Sequence, residues 1–356
     1  MRTPFNVDEV INRTLRTSVL IDAFWDRWIV HGFPYAEIEA VRSKLHTLQN
    51  WTQVWSTLAA KQEKLAQQLK EQHFLTEADK VYRTASLTYN LLQWIYPERN
   101  EDKMKAYKSC TRLFRLADEC SEIETRYEAI EIEGVLCPGR VRLPNDPIGC
   151  VIIVNPIDST KEELYQYELD FLDQGFVTVS FDGPGQGETY ISNGLRGTKD
   201  RWEMFVNLVI EYAAKQFPKL PLNLFGTSLG ASWAIYGSCH PFIYKTVAVS
   251  PAVEFDRLQL PGYFLERMDC SCTLVPEKRA IPNFKELHFR SPVYLFHGGK
   301  DLMVPGKDIN DLFHRLPKGK KWMAYEDEGH CCNYKLGEIR REASRWFSGE
   351  GEEAKS

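Results

Sequence analysis

The chain has 356 residues, 43% of them apolar, and a formal net charge of −5; that length can bury the core of one large domain and a smaller one. The charge balance excludes a nucleic-acid binder built on clustered Lys and Arg, and no apolar run approaches the length of a membrane span. Nine cysteines at irregular spacing, with no Cys-x-x-Cys pair and no His-Glu-x-x-His, imply reduced thiols and neither metal nor cofactor, and with no signal pattern at the N-terminus a cytoplasmic protein is expected.

Residues 7–122 offer no convincing strand and read as consecutive helices. Trp51, Val54, Trp55, Leu58, Leu65 and Leu69 recur at three- and four-residue intervals and so share a helical face. A second run, 77–95, carries Val81, Ala85, Tyr89 and Leu92 in the same way. These Trp and Tyr stripes are expected as helix-packing core, and some of them also as the lining of a pocket for an aromatic ligand.

After residue 124 the pattern changes. Residues 127–133 alternate like a strand and 140–143 follow Pro138-Gly139, which predicts a hairpin. Then come a strand at 150–154, a helix at 161–174, a strand at 176–181 and a helix at 201–216. Further strands are expected at 222–225, 246–250, 293–296 and 322–325, and a last helix at 334–347. Short, fully apolar strands alternating with helices mean a mostly parallel sheet covered on both faces, an α/β architecture. The expected domains are therefore a helical one at 1–124, an α/β one at 125–348 and a polar, disordered tail at 349–356.

Within the α/β half, Leu224-Phe-Gly-Thr-Ser-Leu-Gly-Ala231 runs from an apolar strand through Gly-x-Ser-x-Gly into a helix-compatible segment. This is the order a nucleophile elbow needs, and it makes Ser228 the candidate nucleophile. A serine hydroxyl requires a base, and the base requires a group to hold its tautomer. Asp301 and His330 each stand just past an apolar strand, in the chain order acid then histidine that follows the serine in such folds. His297 is expected to be a structural hydrogen-bonding residue beside Asp301. The oxyanion donors are expected to be the backbone N–H groups of Leu229 and of Ile157, because Pro156 has none. Ser159 and Glu162 read as a capping box opening the next helix. Asp182-Gly-Pro-Gly-Gln-Gly-Glu188 lacks the Walker spacing and is expected to shape one wall of the pocket. Asp158, Glu254 and Asp256 are auxiliary candidates, with a solvated loop the favoured setting for the last two.

Asp158-Ser-Thr-Lys-Glu-Glu163, Asp182 to Glu188, Gly226-Thr-Ser-Leu-Gly230 and Gly329-His-Cys-Cys332 together resemble the FrsA-like α/β-hydrolases, in the branch of 2,6-dihydroxypseudooxynicotine hydrolase and the fungal polyketide-shortening hydrolases. The helical segment with Trp28, Gly32, Tyr35, Trp51 and Trp55 resembles that branch too, so the similarity spans nearly the whole chain. By this resemblance Ser228, Asp301 and His330 match the triad. It implies retro-Claisen hydrolysis of a carbon–carbon bond next to a ketone in an aromatic or polyketide-like small molecule. It further implies a helical domain capping the site and a homodimer. One departure is Asn155-Pro156, where Gly-Gly is expected before the oxyanion residue. A carboxylesterase, thioesterase, acyltransferase or cyclase would use the same triad, and some FrsA-like proteins are thought to be non-catalytic binders; these alternatives stay open at the level of sequence.

Overall fold

The computed structural model describes residues 6–350, so the expected tail lies outside the described residues from 351 onward. Contacts divide the chain into two compact units. One runs to Glu124 and also takes Pro261–Ser271, and the other holds Thr125–Leu260 and the chain from Cys272. A split by chain order alone would leave Pro261–Ser271 with the α/β part.

The first unit is helical, with α1 (Val7–Leu20), α2 (Asp26–Val30), α3 (Tyr35–Val41), α4 (Leu48–Glu71), α5 (Leu75–Trp94) and α6 (Glu101–Glu119). Side-chain oxygens start three of them: Asn6 accepts from the N–H groups of Asp8 and Glu9, Thr47 from Asn50, and Asn100 from Lys103. The inward face of α4 is Trp51, Trp55, Ala59, Gln62 and Ala66. Leu65, expected on that face, is instead exposed, because the small Ala59 and Ala66 are the residues that let neighbouring helices approach. Trp51 stacks on Trp25 with centroids 6.1 Å apart and meets Trp55 edge-on at 5.8 Å. Both α4 tryptophans are fully buried and serve as packing core.

In the second unit, β1 (Glu124–Ile132), β2 (Val135–Leu143), β3 (Gly149–Val154), α7 (Tyr165–Leu172), β4 (Phe176–Phe181), α8 (Gly187–Ile191), α9 (Lys199–Gln216), β5 (Leu222–Thr227), α10 (Leu229–Gly237) and β6 (Ile243–Val249) follow in order. Helix α11 (Gly262–Ser271), which groups with the first unit, interrupts the series before β7 (Val293–Gly298), α12 (Gly306–Arg315), β8 (Lys321–Tyr325) and α13 (Leu336–Ser348). Among the described residues the strands form one eight-stranded sheet in the order β1-β2-β4-β3-β5-β6-β7-β8. It is parallel from β4 through β8, and β2 runs antiparallel to β4. Strands β3, β4, β5 and β7 are buried along their whole length, as their largely apolar runs require, and β4 and β5 also bury the polar Thr178, Ser180 and Asn223. This is the α/β-hydrolase fold. No helix among the described residues is long and apolar enough to cross a membrane.

Two local expectations are corrected. The hairpin turns at Glu133-Gly134, whose φ angles of 52° and 77° suit a tight turn, and Pro138-Gly139 lies inside β2. Gly139 is there because a Cβ would sit 2.3 Å from the Phe181 ring. Helix α7 begins at Tyr165, so Ser159 and Glu162 form no capping box. The Ser159 hydroxyl donates to the Pro156 carbonyl, and the Glu162 carboxylate is 3.0 Å from Lys161 Nζ. A buried lysine draws the carboxylate more strongly than a helix start would.

Candidate active site

Ser228 joins β5 to α10 as the residue between them, with φ 54° and ψ −124°, a backbone region that a residue with a Cβ enters only under strain. Its N–H is held by the Val249 carbonyl at 2.9 Å, and its own carbonyl accepts from Ala231 at 3.0 Å. The glycines on either side permit the crossing. A Cβ on Gly226 would lie 2.3 Å from the Gly230 oxygen, and one on Gly230 would lie 2.1 Å from the Val154 oxygen. Any larger residue at either place would push α10 away from the sheet.

Asp301 follows β7, and its carboxylate is wholly buried. One oxygen accepts the N–H groups of Met303 (2.8 Å) and Val304 (3.0 Å), and the other meets His330 Nδ1 at 2.8 Å. Burial alone would push its pKa up, but the His330 contact and the two N–H donors outweigh burial and hold it below the ordinary carboxylate value.

His330 stands in the turn after β8. That turn packs on the end of β7 so closely that a Cβ on Gly298 would sit 2.2 Å from the Gly329 oxygen. Cys331 and Cys332 both take positive φ, 66° and 48°, and the Cys331 N–H donates to Ser250 Oγ at 3.2 Å. With this backbone the imidazole reaches Asp301 through Nδ1 and Ser228 Oγ through Nε2, at 2.9 Å. Burial disfavours the imidazolium, yet the neighbouring Cys331 side chain and the Asp301 carboxylate outweigh burial and raise the His330 pKa well above the usual imidazole value. The arrangement can pass a proton from hydroxyl to imidazole while the carboxylate fixes the tautomer.

The structure thus brings Ser228, Asp301 and His330 together, and it shows other partners for two of the remaining carboxylate candidates. Glu254 lies 3.5 Å from Lys285 Nζ, and Asp256 pairs with Arg279 at 2.7 Å on the surface. Each thus has a cation, not His330, as its partner, in line with the solvated-loop setting expected for both. Asp158 sits in the loop after β3 with φ 59°. His297 Nδ1 is 3.9 Å from Asp301, beyond hydrogen-bond reach, and burial pulls its pKa down against the pull of that carboxylate.

Leu229 is the first residue of α10, so its N–H is among those a helix leaves unpaired at its positive end. Ile157 follows Asn155-Pro156 at the end of β3 and is buried. The sequence reading missed what holds this second loop. Gln186 donates from Nε2 to the carbonyls of Asn155 (2.9 Å) and Pro156 (2.7 Å). The Asp182 carboxylate accepts from Lys161 N (2.8 Å), Lys161 Nζ (2.9 Å) and Glu188 N (2.9 Å). The 182–188 turn, expected as a pocket wall, is therefore bound to the 155–161 loop. Gly187 is required there, because a Cβ would come within 2.1 Å of the Asp182 carboxylate. No sequence signal singles out Gln186, since its partners are backbone atoms some thirty positions away. No group of three His, Cys, Asp or Glu among the described residues could hold a metal ion.

Residues 145–280 match the serine aminopeptidase S33 family (Hydrolase_4), a stretch that contains Ser228 and ends before Asp301. The chain is 23% identical over 338 residues to a 2,6-dihydropseudooxynicotine hydrolase of Paenarthrobacter nicotinovorans, covering 91% of this chain and 90% of that one. It is 28% identical over 264 residues to the α/β-hydrolase ucsC of an Acremonium species, covering 64% of this chain but only 52% of the relative, so it spans about half the length of that fungal protein. Among solved structures, that of a 2,6-dihydroxy-pseudo-oxynicotine hydrolase superposes with a TM-score of 0.75 at 23% identity, covering 91% of this chain and 95% of the other.

Proposed function

We propose that this chain, an α/β-hydrolase by fold and similar to a pseudooxynicotine hydrolase over nine-tenths of its length, is a serine-nucleophile hydrolase. It would cleave a carbon–carbon bond next to a ketone in an aromatic or polyketide-like substrate. The observation that carries the reading is the unbroken contact from Ser228 Oγ through both nitrogens of His330 to Asp301, at 2.9 and 2.8 Å.

In this reading Ser228 Oγ attacks the ketone carbon as His330 Nε2 takes its proton. The carbonyl electrons move onto oxygen, where the N–H groups of Leu229 and Ile157 stabilise the charge. When the carbonyl re-forms, the carbon–carbon bond breaks and its electron pair leaves with carbon. That carbanion is tolerable only if a second carbonyl or an electron-rich phenol delocalises it, and the His330 imidazolium gives it a proton. Water, deprotonated by His330, then releases the acyl group from Ser228. The sum is ketone plus water to carboxylic acid plus a protonated carbon fragment.

The test is a panel of 1,3-diketones and acylphenols set against simple esters and thioesters. Release of acid plus ketone or arene, lost in Ser228→Ala, supports the proposal. Turnover of esters or thioesters alone would replace it with an esterase. The homodimer that the resemblance implies belongs to the same proposal; a sedimentation mass near that of one 41.2 kDa chain would remove it.

A further inference from the structure

We propose that Gln186 is a positioning residue that aligns the Ile157 N–H as an oxyanion donor. The inference rests on the hydrolase reading above and adds a residue to it. A peptide group is planar, so the Pro156 carbonyl and the Ile157 N–H move as one rigid unit. Fixing the carbonyl fixes the donor.

Two groups fix it: Gln186 Nε2 at 2.7 Å and the Ser159 hydroxyl. The preceding peptide is pinned as well, because the same Nε2 donates to the Asn155 carbonyl at 2.9 Å. Pro156 adds a locked φ between them. The amide orientation of Gln186 follows from its surroundings, since Oε1 accepts the Gly183 N–H at 2.9 Å and Nε2 must then face the carbonyls. A glutamine that merely closed its own turn would spend its donors on that turn, whereas this one, almost completely buried, spends both on another loop. That loop is stitched to the turn at its far end too, by Gly187 N to the Ser159 carbonyl (3.2 Å) and by Lys161 N to Asp182 (2.8 Å). Where the resemblance leads one to expect Gly-Gly, a flexible pair, this chain has a stiff Asn-Pro that must be aimed from outside. Gln186 does the aiming.

The test compares full-length wild type, Gln186→Met and Ser159→Ala for turnover of p-nitrophenyl acetate. It also measures inhibition by phenylboronic acid, whose boron takes up the Ser228 oxygen and becomes a tetrahedral anion. Ser228→Ala is the blank, and melting curves record folding. Misaligning one oxyanion donor should lower kcat by about 10- to 100-fold in Gln186→Met and by a few-fold in Ser159→Ala, with KM nearly unchanged and boronate affinity falling by the same factors as kcat. Folded variants that keep kcat and boronate affinity within about twofold, or that raise KM alone, overturn the inference. If Gln186→Met does not fold, the Ser159→Ala result decides by the same criteria. A wild type with neither Ser228-dependent turnover nor Ser228-dependent boronate binding overturns the hydrolase reading first, and the inference with it.

Discussion

At Ser228 the backbone does work against itself. A side chain at φ 54° costs about 1–3 kcal/mol, while glycine there would lose only about 0.5–1 kcal/mol to its greater freedom when unfolded. Strain is the larger effect, so Ser228→Gly should unfold at higher denaturant than Ser228→Ala, by about 1 kcal/mol, though both lack the hydroxyl and both should be inactive. Equal midpoints would mean the elbow is unstrained. The imidazole makes a second prediction. The His330 pKa is raised, so the neutral base is lost on acidification earlier than in a free imidazole; the acid limb of kcat/KM should lie above about 6.5. Asp301→Asn removes the carboxylate that favours the imidazolium, so the limb should move to lower pH and kcat should drop by about 10³- to 10⁴-fold. A limb that stays in place in this variant would take Asp301 out of the site.

At the scale of elements, the loops that follow β3 and β4 are locked by buried charge. Lys161 is almost wholly inaccessible and faces Asp182, Glu162 and Glu188, and three carboxylates without it would stand in a site with little water. Lys161→Met should therefore cost about 3–5 kcal/mol in urea unfolding. A loss under about 1 kcal/mol would show that the carboxylates find protons or other donors at little cost. Elements were readable where the pattern is periodic. The apolar strands and the elbow stood out because a strand buried on both faces is mostly apolar and a tight crossing admits glycine alone. The start of α7 was misread because Ser159 and Glu162 have the spacing of a cap, and only the position of Lys161 and Pro156 in space shows that both side chains are engaged elsewhere.

For the molecule as a whole, the division into units turns on α11. Arg267 of that helix is buried, donates to the carbonyls of Trp94 and Ile95, and lies 3.9 Å over the Trp94 ring. Arg267→Met keeps the aliphatic stem but removes two charged donors from the carbonyls of Trp94 and Ile95 and the cation over the Trp94 ring, and should destabilise the helical unit by about 2–3 kcal/mol. Calorimetry should show this as a lowered transition, and an unchanged profile would detach α11 from that unit. The sequence by itself determined the α/β class and the helical N-terminal region, and it named Ser228, Asp301 and His330 as the candidates that the structure brings into contact. Each of these is written in local patterns of apolar spacing, glycine and strand-end position. Only the tertiary structure decided which helices α11 joins, that Glu254 and Asp256 face Lys285 and Arg279, and that Gln186 and Ser250 brace the loops around the site. Those outcomes depend on hydrogen bonds and ion pairs between residues far apart in the chain, and such partners leave no periodic trace along it.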